Sequence, residues 1–173
     1  MLLKSIEEKE FQNKVDIRFS NISEGFNKFH NGVLEKKVLL NKEESEERIF
    51  RFFERILELN GEENSFIDFY YLRLGEEDKQ RMKEMVSADD RITLNVVERE
   101  LKGDGIYFRL SKEILPLIVR LCTREVLFST FYFTKIPCTI WGNYNMKFPC
   151  FFKDEKCMEF YDEVSNNYDL KII

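Results

Sequence analysis

A chain of 173 residues that is 43% hydrophobic, 14% aromatic and 34% charged can build a packed core, and such a mix excludes a disordered polymer. One domain over residues 1–173 is the expectation at this length. The formal charge of −5, with acidic residues spread along the chain, argues against a nucleic-acid partner, because backbone binding draws on clustered Lys and Arg that displace counterions.

No basic cluster stands out, although a basic face could still be assembled in space. No run approaches the roughly 20 apolar residues that span a bilayer. The start, MLLKSIEEKEF, turns acidic before an apolar leader can form. A cytoplasmic protein with no membrane partner is therefore expected. The four cysteines, at 122, 138, 150 and 157, form no close pair. That spacing predicts reduced, buried thiols rather than a zinc site.

In chain order, residues 1–12 read as a short helix or a frayed end. Lys14 to Phe19 alternates, with Val15, Ile17 and Phe19 on one side, which predicts a half-buried strand. Ile22, Phe26 and Phe29 suit a short helix from Ser20 to His30, stopped by Asn31-Gly32. Val33 to Leu40 reads as a second strand. Asn41 to Asn60 is the clearest helix. Glu43, Glu44, Glu46 and Glu47 favour its N-terminal dipole, Ile49, Phe50, Phe53, Ile56 and Leu57 form its apolar stripe, and Gly61 ends it.

Ser65 to Leu74 is β-prone and places Asp68 on a face with Phe66, Tyr70, Leu72 and Leu74. Glu76 to Val86 predicts a surface helix, and Asp89-Asp90 a turn or N-cap. Arg91 to Leu101 fits two periods. Ile92, Leu94 and Val96 alternate as in a strand; Leu94, Val97 and Leu101 make a helical stripe. The Gly103-Asp104-Gly105 turn before Ile106, Phe108 and Leu110 favours the strand, in a hairpin. Ser111 to Glu125 predicts a buried helix capped by Ser111, with Pro116 near its first turn.

The stretch from Val126 to Phe152 holds the only Trp and six of the seventeen Phe. Its β-branched and aromatic residues suit strands at 126–133, 138–141 and 146–152, a three-stranded antiparallel meander. Pro149 suggests that the last of these is an edge strand or carries a bulge. A helix from Asp154 to Asn166 and a strand through Tyr168, Leu170 and Ile172 complete a strand–helix–strand unit over 146–173. The predicted fold class is α+β: a single domain with a mixed or mainly antiparallel sheet, on which helices 43–59 and 111–124 pack.

Chemistry is sparsely signalled. The one histidine, His30, is read as completing a helix C-terminus. No phosphate-cradling glycine pattern occurs. Asp90 upstream of Glu100-Leu101-Lys102 raises the alternative of a metal-dependent nuclease, and the cysteines that of a thiol enzyme. Asp68, set among aromatics, needs a partner or a raised pKa, and an Arg or Lys partner is expected. No catalytic residue, metal ligand or cofactor is assigned. The binding candidates are Tyr132, Trp141 and Tyr144, aromatic side chains of the kind that anchor interfaces, although core packing is the favoured reading for Trp141 and Tyr144 beside the Gly142 turn. The leading functional expectation is a non-catalytic protein-interaction module, such as a small acidic inhibitor, immunity or accessory protein. The alternative is a small-molecule binder with an aromatic-lined pocket.

Overall fold

The computed structural model describes residues 1–101 and 103–173. In chain order the strands are β1 (Lys4–Ser5), β2 (His30–Lys36), β3 (Ser65–Asp68), β4 (Tyr107–Arg109), β5 (Thr130–Phe133), β6 (Cys138–Trp141), β7 (Phe148–Phe152) and β8 (Leu170–Ile172). The helices are α1 (Glu8–Lys14), α2 (Ile22–Lys28), α3 (Lys42–Asn60), α4 (Glu76–Met85), α5 (Ala88–Glu100), α6 (Leu115–Thr123) and α7 (Glu155–Asn166). All eight strands join one antiparallel sheet in the order β1-β4-β3-β5-β6-β7-β2-β8. The chain is one α+β domain.

The expected meander is present as β5, β6 and β7 at the centre of the sheet. Residues opposite one another in an antiparallel pair point to the same face. On one face the registers therefore align Ile67, Phe131, Ile140, Cys150 and Gly32, and alongside them Phe133, Cys138 and Phe152. Helix α3 lays Phe52, Phe53, Ile56 and Leu57 on this face, and α6 adds Leu117, Ile118 and Leu121, all buried. The Phe53 ring lies 4.2 Å from Phe131 and 5.8 Å from Phe148. Each such fully buried ring contributes about 1.5–3 kcal/mol. The capping box between Asn41 and Glu44 starts α3, and Gly61, at φ 83°, ends it.

The second face carries Phe66, Asp68, Tyr107, Thr130, Tyr132, Thr139, Trp141 and Phe151. The N-terminal segment covers it. Phe11 of α1 stacks on Tyr107 at 3.8 Å, and Phe19 packs against Trp141 and Phe151. This segment departs from the strand expected over residues 14–19. Val15 and Ile17 are buried, as the alternation implied, but residues 14–19 join no ladder. The segment lies across the sheet instead, with Thr139 Oγ1 donating to the Ile17 carbonyl at 2.8 Å.

Arg91 to Leu101 is helical, not a strand. Ser87 caps α5 by accepting from the Asp90 N–H, and Leu94 and Val97 are buried while Ile92 faces solvent. The helical stripe prevails because it meets the core. No hairpin follows, since β4 pairs with β3 and β1. His30 opens β2 rather than ending a helix, and Asn31 and Gly32 lie within that strand.

Pro149 occupies an interior strand, against the edge expectation. Its register partner Val33 exchanges both backbone hydrogen bonds with Ile173 of the far neighbour. The Pro149 nitrogen is thus turned away from β2, toward β6, beyond the last registered pair of that ladder at Ile140 and Cys150. No ladder bond is lost there. Strands β7 and β8 run parallel to each other with β2 between them, and α7 connects them.

Candidate functional site

The groups with chemical potential are dispersed and mostly occupied. Cys122, Cys138 and Cys150 are buried, and burial pushes the Cys122 and Cys150 thiols up to about 12 and Cys138 higher than its ordinary value. Thiols so held are not nucleophiles at neutral pH. Asp90 is clasped by Arg120, whose Nε donates to both carboxylate oxygens at 3.0 and 3.1 Å. Glu100 accepts the Leu2 N–H at 2.8 Å. Ten residues apart on one helix, Asp90 and Glu100 are separated by roughly 15 Å of axial rise and do not converge; Lys102 lies outside the described residues. Among the described residues no cluster of metal-ligating side chains occurs.

Asp68 is 7% exposed, and it has no cation partner among the described residues, contrary to the expected Arg or Lys. Its carboxylate accepts the Thr130 N–H at 2.6 Å and the Tyr132 hydroxyl at 3.2 Å. Burial raises its pKa from 3.8 to about 6 despite those bonds. Tyr132 in turn borders a hollow of about 360 Å³ between α1 and α2, walled by Phe11, Phe19 and Tyr107 and rimmed by Arg18 and Glu24. Trp141 stacks on Phe19 at 5.5 Å and is half-buried. Two of the three aromatic candidates, Tyr132 and Trp141, therefore serve the N-terminal cover.

Tyr144 stands elsewhere, at the end of the sheet where β2 finishes and β7 begins. It is 60% exposed, held edge-on to Phe128 at 4.8 Å. Beside it are two residues at positive φ, Asn145 at 60° and Met146 at 53°. The turn after α6 adds a third, Glu125 at 59°. There the Val126 N–H reaches the Leu121 carbonyl and the Glu125 N–H the Cys122 carbonyl, the Schellman closure whose left-handed position usually takes Gly. A β-carbon at that φ costs roughly 1–2 kcal/mol. The reason for Glu is its side chain: the carboxylate accepts the Asn145 N–H at 2.8 Å and braces one turn against the other. Gly142 permits the close approach, because a Cβ there would lie 2.5 Å from the Ser129 carbonyl oxygen.

A third loop, residues 37–41, completes this end. The strand predicted through Leu40 ends at Lys36, opposite Leu170, so Val38 is 47% and Leu39 99% exposed. Lys36, Lys37 and Lys42 flank them with no acidic residue between, and Glu35 and Glu43-Glu44 lie just outside. A hollow of about 450 Å³ opens among Lys36, Lys42, Arg124, Glu125, Asn145 and Met146. Arg124 is bound to Glu46, and Lys147 and Lys171 share Glu35. Lys36 and Lys42 have no carboxylate partner among the described residues. This surface was missed because the apolar residues Val38, Leu39 and Leu40 hide where the ladder stops; the lysine spacing was the available signal.

No family model, curated protein or solved structure matches the chain. Among the described residues no helix is long and apolar enough to cross a membrane.

Proposed function

We propose that this is a non-catalytic, cytoplasmic protein-interaction module of the small inhibitor, immunity or accessory type. The observation that carries the reading is the loop end. Val38 and Leu39 are exposed on the loop between Lys36 and Lys42, and Tyr144 is exposed beside Asn145 and Met146; those four neighbours line one hollow, and the two turns there are cross-braced at a conformational cost. Exposed apolar side chains gathered on a rigid support suit partner recognition, and strained backbone concentrates at functional sites. The net charge of −5 disfavours a nucleic-acid partner. Affinity capture from the native cytoplasm tests the reading. A stoichiometric protein partner is the expected result; recovery of a small molecule alone would contradict it.

A second reading rests on the hollow between α1 and α2. Its 360 Å³ falls in the range of small-ligand pockets, and four aromatic rings line it beside Gln12, Arg18, Ser20 and Glu24. Trp141, stacked on the wall residue Phe19, would report occupancy by a change in emission when the protein is titrated with cytoplasmic metabolite fractions. An unchanged spectrum would remove this reading.

A further inference from the structure

Resting on the interaction reading, the geometry points to the chemistry of the partner: an acidic polypeptide segment carrying an apolar side chain, seated in the hollow at the loop end. Charge is the first argument. In a chain of net −5, residues 36–42 place three lysines within seven residues and no acid. Lys37 is engaged by the Asn166 side chain at 2.9 Å, which leaves Lys36 and Lys42 facing the hollow. Of the acidic groups nearby, Glu35 holds Lys147 and Lys171, Glu44 accepts the Asn41 N–H, and Glu43, without a partner among the described residues, lines a separate hollow. Glu46 accepts from both Arg124 and Thr123, and Glu125 from the Asn145 N–H. The charge on offer is therefore positive, and a polypeptide rich in Asp and Glu complements it.

Apolar placement is the second argument. Lys36 and Lys42 bracket Val38 and Leu39 in the chain, and Asn145 adjoins Tyr144. The exposed apolar side chains thus belong to the segments whose ends line the hollow. Concavity is the third. A hollow of about 450 Å³ receives a protruding side chain and its flanks, whereas a bilayer surface is flat. Strand addition is disfavoured at both edges of the sheet. At one edge β1 is two residues long, and at the other the outward Ile172 N–H is taken by Asp162 at 2.7 Å.

Panning the full chain against an unbiased displayed dodecapeptide library tests this. The expected result is enrichment of sequences combining Asp or Glu with a large apolar residue. Their affinity should fall roughly tenfold or more in the Lys36→Glu/Lys42→Glu double variant. It should fall separately in Leu39→Ser, which alters no charge and removes a side chain the fold does not bury. Enrichment of basic or uncharged peptides, no enrichment, or binding that survives both variants would overturn the inference. So would binding to phosphatidylserine–phosphatidylcholine vesicles that both variants abolish in the absence of peptide binding. The two proposals fail differently. A captured protein that binds both variants normally removes the surface assignment and leaves the module. Acidic peptides that bind while no cytoplasmic protein is captured do the reverse.

Discussion

Phe53 and Leu39 are both large apolar side chains, yet Phe53 has no exposed surface and Leu39 keeps 99% of its own. Phe53 lies under α3, wedged among Phe52, Phe131 and Phe148. Leu39 stands three residues past the end of β2 with nothing above it. Apolar content does two jobs in this chain. On the helix-covered face it supplies cohesion, and at the loop end it is presented to solvent on a rigid support. The face under the N-terminal segment lies between these extremes, since it buries aromatic rings together with the carboxylate of Asp68.

The comparison is broken most severely at the core. Phe53→Ala should destabilise by about 3–5 kcal/mol, read as a lower urea midpoint, because the void cannot be refilled by neighbouring rings. Arg120→Met should cost about 3 kcal/mol in the same measurement, since it strands the buried Asp90 carboxylate without its partner.

Asp68 sharpens the intermediate case through pH. Its folded pKa, about 6, lies above the ordinary 3.8, so the folded state binds the proton more tightly. Stability from this group is fully present below 3.8 and is lost as pH rises through 6. The span corresponds to up to about 3 kcal/mol. Asp68→Asn keeps an acceptor for Thr130 and should remove that part of the decline between pH 4 and 8, followed by chemical denaturation at each pH. A variant whose decline matches the wild type would show that Asp68 is ordinary. At the small end, Leu39→Ser should shift stability by no more than about 0.5 kcal/mol, because no buried contact is lost. A larger loss would mean that Leu39 is packed after all.

Much of the fold was legible because it is written in local signals. Asn41, Glu44 and Gly61 bound α3, Asp154 caps α7, and the aromatic runs at 138–141 and 148–152 are strands. What failed depended on distant partners. Ile92, Leu94 and Val96 satisfy a strand period as well as a helical one, and the choice falls to the core that meets Leu94 and Val97, with Asp90 held by Arg120 thirty residues away. Val15 and Ile17 alternate because they lie against a sheet, which letters cannot distinguish from lying within one. Pro149 sits in an interior strand because β6 stops pairing just short of it. Of the candidate site, the sequence favoured core packing for both Trp141 and Tyr144; Trp141 does stack on Phe19, whereas Tyr144 stands exposed, and Tyr132 is drawn inward by Asp68. The lysines at 36, 37 and 42 are plain in the sequence, but the meeting of Lys36 and Lys42 with Asn145 and Met146 around one hollow is a product of topology.

The most direct test of the account is the affinity of the protein captured from the cytoplasm for the wild type and for Lys36→Glu/Lys42→Glu, measured beside their melting temperatures. The account predicts roughly a tenfold or greater loss of affinity at an unchanged melting temperature. Equal affinity for both proteins would contradict it.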